Sequence, residues 1–201
     1  MGVDHAELTQ DIDAATRRLL DTVATLDDGD VRAPSLLPGW TRGHVLTHVA
    51  RNADGLVNLL GWVHGERTPM YESREARNRD IDAGSGRSAQ ELLADVEASA
   101  DRFAAALAAV PDDGWDTPVV WGNGAHRTTG AIPAARLLEV EVHHVDLDAG
   151  YRYTDWPEPF VGRLLDDVTA AVDAPPMTIR VDGAAAPADG APGPVITGPA
   201  A

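Results

Sequence analysis

The chain has 201 residues, a formal net charge of −16 at pH 7 and a hydrophobic content of 44%, which allows one full domain and part of a second. A protein this acidic should repel nucleic acid and anionic membranes, and because we find no membrane-spanning apolar run and no secretory signal, we expect a cytoplasmic protein. Because cysteine is absent, any thiol in its chemistry must come from a separate molecule.

The N-terminal part predicts one amphipathic helix followed by a loop. The helix runs from about Asp4 to Leu26, because apolar residues recur at steps of three and four. These residues are Leu8, Ile12, Ala15, Leu19, Val23 and Leu26. The Asp-Asp-Gly-Asp sequence at 27–30 should end the helix, and Pro34 and Pro38 favour a loop.

A second helix is predicted from Thr41, a good N-cap, to about Val63. Its buried stripe consists of Val45, Val49, Ala53, Leu56 and Leu60. His44, His48 and Asn52 follow at steps of four on the neighbouring stripe. Such a row can point into a bundle as a set of ligands, or it can be the edge of the solvated face.

Residues 64–87 indicate a long connection between helices. A helix of about 20 residues is roughly 30 Å long, and an extended chain of this length covers that distance. The connection can therefore cross a bundle and let the second and third helices run parallel. It is either a functional loop or a surface crossover.

The third helix is predicted from Ser88 to about Val110, and Ser88 and Glu91 match a capping box. Its apolar stripe is Leu92, Val96, Phe103, Leu107 and Val110. Residues 115–131 then form a second loop, in which the Gly-Asn-Gly turn at 122–124 allows a short hairpin.

The stretch from Arg136 to Gly150 carries the strongest candidate for chemistry. Glu139 and His143 are four residues apart and Asp146 follows three later, so a helix places all three on one face. The alternation of polar and apolar residues over 139–143 would also suit a strand. We predict a helix, because apolar residues recur at helical spacing over a wider window. They are Ala135, Leu138, Val142, Val145 and Ala149.

Imidazole and carboxylate groups are good ligands for zinc and similar divalent metals. Glu139 and His143 would supply two ligands from one helix, and His48 on the second helix is the best candidate for a third. Our central hypothesis is a metal held by these three residues with an open coordination position. The alternative is a Glu and a His on a solvated helix face. Four amphipathic helices with ligands from two of them fit a four-helix bundle.

The composition changes after Gly150. A helix from about Glu158 to Val172 precedes two β-like runs, Met177–Val181 and Pro194–Thr197, with an Ala-, Gly- and Pro-rich loop between them. Two short strands cannot form a stable sheet alone. We predict a mainly α protein in which residues 1–152 form a metal-binding four-helix bundle. Residues 153–201 would then start a small α+β domain whose remainder is missing from this chain.

Four motifs carry a resemblance to a known family. They are L-L-P-G-W-T-R-G-H-V-L-T-H-V-A-R-N-A at 36–53, L-V-N-L-L-G-W at 56–62, T-P-M-Y-E-S-R-E-A-R-N at 68–78 and E-V-E-V-H-H-V-D-L at 139–147. They resemble the mycothiol-dependent maleylpyruvate isomerases, which belong to the DinB-like metal-binding four-helix bundles. The resemblance covers roughly residues 5–155, and the T-P-M-Y block points most narrowly to the isomerase branch.

The resemblance implies roles for particular residues. His48, Glu139 and His143 match the zinc ligands of the family, and Asp146 matches a position next to the metal and the thiol. Arg77, in the T-P-M-Y block, is expected near the substrate, with a solvated surface arginine as the alternative. His44 and His144 match no ligand position and are expected to be structural. The family has a further functional arginine late in its C-terminal domain, and this chain ends before that position.

The implied activity is the cis–trans isomerisation of maleylpyruvate, an anionic small molecule, to fumarylpyruvate. The thiolate of mycothiol would add to the double bond, the resulting single bond would rotate, and elimination would restore the trans alkene. A metal shifts a thiol towards thiolate, and an open zinc position would admit the sulfur or a water. The alternatives are a mycothiol S-transferase of the same bundle family, and a non-catalytic bundle that binds a small molecule or a partner.

Overall fold

Helices make up most of the part of the chain that the computed structural model describes, which is residues 5–171, 178–179 and 195–196. The helices are α1 (His5–Val23), α2 (Asp28–Arg32), α3 (Arg42–Leu60), α4 (Arg74–Gly84), α5 (Ala89–Ala108), α6 (Ile132–Asp146) and α7 (Glu158–Ala171). The chain divides into two units, Met1–Asp155 and Trp156–Ala201. The predicted mainly α class is confirmed. No helix in the described ranges combines the length and apolar character that crossing a membrane requires.

Four long helices of the first unit form a bundle around one core. Helices α1 and α3 each pack against both α5 and α6, so every helix in the ring has two neighbours. The apolar stripes predicted for the first three helices point into this core. Its fully buried members include Leu19, Val45, Val49, Leu56, Leu92, Val96 and Phe103.

The fourth bundle helix, α6, buries a different face from the one predicted. It is a helix rather than a strand, as expected, but Leu138 of the predicted stripe is 39% exposed. The buried side instead includes Arg136, Glu141 and His144 beside apolar residues. A polar side chain can occupy a core position when partners on other elements satisfy it, and hydrophobic periodicity cannot detect such partners.

Two helices begin with the caps that the sequence predicts. Thr41 accepts a hydrogen bond from the backbone of His44, and the His44 side chain accepts one from the Thr41 backbone. Ser88 and Glu91 form the equivalent box at the start of α5. His44 therefore has the structural role expected of it, because it satisfies one of the amides that a helix N-terminus leaves free.

The prediction that residues 64–87 form one long connection is wrong, because α4 lies within this segment. Ser73 caps this helix by accepting from the Ala76 backbone at 3.0 Å, and Ala76 and Ile81 are its buried residues. With two buried positions in eleven, α4 has almost no apolar periodicity, and packing against α3 stabilises it instead. Asp27, which was predicted only to help end the first helix, also caps the short helix α2.

The predicted hairpin is present as strands β1 (Pro118–Val120) and β2 (His126–Thr128), which pair antiparallel. Gly124 has φ of 83°, a conformation that glycine adopts without strain. In the second unit, β3 (Thr178–Ile179) and β4 (Val195–Ile196) pair in parallel within the two predicted β-like runs. Asp4, Val172, the outer residues of both runs and the loop between them lie outside the described residues. The incomplete α+β domain at 153–201 stays a prediction.

Candidate metal centre

The three predicted metal ligands converge between α3 and α6. Nε2 of His48 lies 3.1 Å from Oε2 of Glu139 and 3.0 Å from Nε2 of His143. Nε2 of His143 lies 3.3 Å from the same carboxylate oxygen. One turn of helix separates Glu139 from His143, so their side chains stack on the face of α6 that meets His48. All three ligand atoms fall within 4.8 Å of one another.

Arg42 at the start of α3 holds the end of α6 in place. Its Nε donates to the carbonyl of Leu147 and its Nη2 to the carbonyl of Asp148, both at 2.6 Å. The Leu36 amide adds a hydrogen bond to the Asp146 carbonyl at 2.9 Å. These contacts satisfy carbonyls that a helix C-terminus leaves without partners. They also set the lengthwise position of α6 against α3, and hence which turns face each other.

Asp146 orients His143. Its Oδ2 lies 2.8 Å from Nδ1 of His143 and accepts the proton of that nitrogen. The hydrogen bond selects the tautomer in which Nε2 of His143 presents its lone pair to His48 and Glu139. Metal-binding histidines ordinarily have such a carboxylate partner on the nitrogen away from the metal. The resemblance implies that Asp146 lies next to the metal and the thiol, and this contact supports a role in orienting a ligand histidine.

The electrostatics of Glu139 and His48 favour the forms that bind metal, whereas those of His143 favour its protonated form. Burial alone would raise the pKa of Glu139, but hydrogen bonds and charge from His143 and His48 hold that pKa well below its usual value. Burial lowers the pKa of His48. Burial also opposes protonation of His143, yet its carboxylate partners Glu139 and Asp146 raise the pKa. A cation would therefore compete with a proton mainly at His143.

Arg77 of α4 contacts the outer nitrogen of His48. Its Nη2 lies 3.0 Å from Nδ1 of His48, and its guanidinium lies 5.7 Å from the centre of the Tyr71 ring. Arginine only donates, so Nδ1 of His48 must accept and the proton of the neutral ring must be on Nε2. A metal on Nε2 requires the opposite tautomer, so metal binding and this Arg77 contact exclude each other.

The carboxylate of Glu139 can accept from both histidines. With Arg77 donating to Nδ1 of His48, Nε2 of His48 carries a proton that it can donate to Oε2 of Glu139 at 3.1 Å. Nε2 of a protonated His143 can donate to the same oxygen at 3.3 Å. A divalent ion can replace these two protons where the three ligand atoms meet, so two imidazoles and a carboxylate fit a zinc-type site.

His144, next along α6, faces away from this centre. Its Nε2 lies 2.8 Å from the Thr22 hydroxyl of α1, and its ring stacks on Tyr151 at 3.9 Å. It is buried and structural, as expected. Two residues that contribute to the centre, Arg42 and Tyr71, were not predicted from the sequence. Both lie inside the quoted motifs, but hydrophobic spacing has no signal for a residue that acts through backbone carbonyls or through a neighbouring arginine.

Comparison with known proteins gives one family. A family model described as the mycothiol maleylpyruvate isomerase N-terminal domain matches residues 12–148. A crystal structure of the mycothiol-dependent maleylpyruvate isomerase has a TM-score of 0.80 and 31% identity, covering 90% of this chain and 77% of that chain. A histidine-to-alanine mutant of that enzyme has a TM-score of 0.80, 30% identity and the same coverage. Among curated proteins, no sequence matches this chain.

Proposed function

The chain belongs to the mycothiol maleylpyruvate isomerase family, and from this premise we propose that it is a metal- and mycothiol-dependent isomerase converting maleylpyruvate to fumarylpyruvate. The observation that carries the proposal is the convergence of His48, Glu139 and His143 within 4.8 Å. Their neighbour Asp146 supports it, because it presents the His143 lone pair to the same point.

Each of these residues has a task when a divalent metal, most simply zinc, is held. His48 and His143 donate imidazole nitrogens and Glu139 donates a carboxylate oxygen, which leaves a fourth position open. The bound metal favours thiolate over thiol and polarises a carbonyl. Because the chain has no cysteine, the thiol belongs to mycothiol. Asp146 acts as a positioning residue, since its contact is with His143.

The isomerisation needs no net change in atoms or charge. The mycothiol thiolate adds to one alkene carbon of maleylpyruvate, and the electron pair of the double bond is delocalised onto the adjacent carbonyl. The remaining single bond rotates, and the electron pair returns to expel the thiolate. The protein must therefore hold two carboxylates and the thiol in reach of each other while this bond turns.

Arg77 is the residue that we assign to a substrate carboxylate. Its guanidinium is 3.0 Å from Nδ1 of His48, and a metal on Nε2 would make that contact unfavourable because Nδ1 of His48 would then carry a proton. The guanidinium, freed on the side of α4 next to the centre, can pair with a carboxylate through two parallel hydrogen bonds. In a protein of net charge −16, an anionic substrate needs such a local cation.

The test combines metal loading with turnover. Protein stripped by a chelator and then loaded with zinc should consume maleylpyruvate in the presence of mycothiol, followed by NMR as loss of the cis alkene. A His48→Ala variant should lose both metal and activity, whereas His64→Ala, an exposed histidine elsewhere, should keep both. Zinc-loaded protein that leaves the cis isomer untouched would refute the isomerase. Thioether product accumulating instead would identify a mycothiol S-transferase.

A further inference from the structure

A cavity of about 570 Å³ lies beside the candidate metal centre and contains none of its ligands. Its floor and rim come from the segment 67–74 that precedes and starts α4, and its far wall comes from the β1–β2 hairpin. The residues relevant here are Trp62, Arg67, Tyr71, Glu72, Arg74 and Trp121. We call it the Trp62–Trp121 cavity.

Both tryptophans are held by hydrogen bonds of their own segments. Nε1 of Trp62 donates to the carbonyl of Thr68 at 2.7 Å, and the guanidinium of Arg67 lies 5.0 Å from the centre of its ring. The Trp121 backbone exchanges hydrogen bonds across the hairpin turn with Ala125 and Gly124. The Trp121 Nε1 is buried and has no hydrogen-bond partner among the described residues. The cavity is therefore lined by two aromatic residues whose segments are held in place.

Tyr71 is the wall that the cavity shares with the metal centre. A Cβ added at Gly55 of α3 would lie 3.0 Å from its ring, and one added at Gly122 of the hairpin would lie 2.9 Å from it. The absence of side chains at these two positions lets the bundle and the hairpin clamp the ring. On its other side the ring contacts Arg77, which in turn contacts His48. A ligand in the cavity is thus two side chains away from the centre.

The size and lining of the cavity suit a large polar ligand with ring faces. Pockets of roughly 300–1,000 Å³ hold drug-sized molecules, and a small dicarboxylic acid needs less. Indole rings offer flat apolar faces, which match the C–H faces of sugar rings. Arg67, Arg74 and Glu72 supply charged donors and acceptors at the rim for hydroxyl groups.

We propose that the Trp62–Trp121 cavity binds the carbohydrate end of the thiol cosubstrate, a glucosamine joined to an inositol, while the cysteinyl end passes Tyr71 towards the metal centre. This inference rests on the proposed function, since mycothiol is the cosubstrate assigned there. A site for a dicarboxylate would be lined mainly by cationic side chains. The lining of this cavity instead combines tryptophans with charged side chains of both signs, which suits a carbohydrate.

The direct test uses glucosaminyl-inositol, which lacks the cysteine and hence the thiol, as a probe of the full-length protein by calorimetry. The probe should bind saturably with or without zinc. Trp62→Ala and Trp121→Ala should each weaken it about tenfold or more, as expected for aromatic anchors. Arg74→Gln, an exposed change that cannot unfold the bundle, should weaken it severalfold. Trp115→Phe, at an indole that stacks on His5 outside the cavity, should leave binding unchanged.

Kinetics then separate the two ligands. In the zinc-loaded protein, Arg74→Gln and Trp121→Ala should raise KM for mycothiol about tenfold with little change in KM for maleylpyruvate. A rise confined to maleylpyruvate would place the acid in the cavity and overturn the inference. So would a probe that fails to bind protein that isomerises maleylpyruvate. Conversely, probe binding without any isomerisation would uphold the cavity and refute the proposed reaction instead.

Discussion

Helix α6 carries polar side chains on two faces, and the two faces are built in opposite ways. On the side of α1, Glu141 accepts hydrogen bonds from Arg18 and from the Tyr151 hydroxyl, and His144 pairs with Thr22. On the side of α3, ligand atoms of Glu139, His143 and His48 converge within 4.8 Å of one another. We call the α1 side the closed face, because its polar groups pair with arginine, tyrosine and threonine, and the α3 side the open face, because three metal-ligating groups meet there.

The difference teaches how to separate structural polar groups from functional ones in the same helix. Burial does not do it, because Glu141 is 1% exposed and His48 is 6% exposed. The separating property is the kind of group that meets. The partners of Glu141 are an arginine and a tyrosine, which donate protons to it, whereas Glu139 meets two imidazoles whose lone pairs can bind the same cation. Titratable groups that converge in this way with shifted pKa values mark a candidate site for a ligand.

The largest expected effect comes from removing the carboxylate of the open face. Glu139→Gln removes the only charged ligand, so zinc affinity should fall by more than about a hundredfold, beyond the loss typical of a residue that only supports a ligand. The metal-free variant should unfold at a lower temperature than the metal-free parent, because the histidines whose hydrogen bonds hold the Glu139 pKa low lose an ionised acceptor. Competition with a chromophoric chelator and a thermal melt measure the two quantities. Unchanged zinc affinity would contradict the ligand set.

The second prediction concerns the closed face, where a substitution should lower stability but leave zinc affinity nearly unchanged. Glu141→Gln leaves either Arg18 or Tyr151 facing an amide N–H, and losing a buried acceptor costs about 2–3 kcal/mol of unfolding free energy. Zinc affinity should change less than twofold. Urea denaturation of metal-free protein and the same chelator competition test this. A variant that loses metal but not stability would show that the two faces are not independent.

A smaller effect on zinc affinity is expected from Asp146, which contacts a ligand of the open face. Asp146→Asn can donate to Nδ1 of His143 and so favours the tautomer whose Nε2 carries the proton and cannot bind metal. Zinc affinity should fall roughly tenfold to a hundredfold. The nearby exposed change Asp148→Asn, which suits the positive φ of 52° at that position, should have no effect. Equal affinities for the two variants would remove the positioning role of Asp146.

The smallest expected effect is a pH dependence of the closed face. Burial, with the charge of Arg18, lowers the pKa of His144 from 6.5 to about 4, while Asp155 opposes this shift. Because the unfolded chain takes up a proton first as pH falls, this stability is fully present above pH 6.5 and is lost between pH 6.5 and about 4. A pKa change of this size corresponds to about 3 kcal/mol, and solvent screening around the 36% exposed Arg18 side chain reduces the expected loss to about 1–2 kcal/mol.

This loss is measured as the difference between metal-free parent and metal-free His144→Gln, since the two histidines of the other face are titratable as well. The parent should lose more stability than the variant as pH falls from 7 to 4. Parallel curves would show that His144 does not titrate with folding.

Local spacing determined much of the fold. Apolar periodicity located α1, α3 and α5, and the caps at Thr41 and Ser88 set where two of them begin, because capping depends on residues within one turn. The same locality placed Glu139, His143 and Asp146 on one face, since a helix fixes the geometry of residues three and four apart. Helix α4 was missed because its stability comes from packing against α3.

By itself, the sequence determined which side chains can share a helical face, and it named His48, Glu139 and His143 as a group that could hold a metal. Only the tertiary structure decided which face of α6 enters the core and which turn of α3 meets it, because Arg42 and the Arg18 partner of Glu141 come from segments far away in the chain. The contact of Arg77 with His48 and the cavity behind Tyr71 were decided in the same way. They arise where α4, α3 and the hairpin meet, and no periodic pattern encodes that meeting.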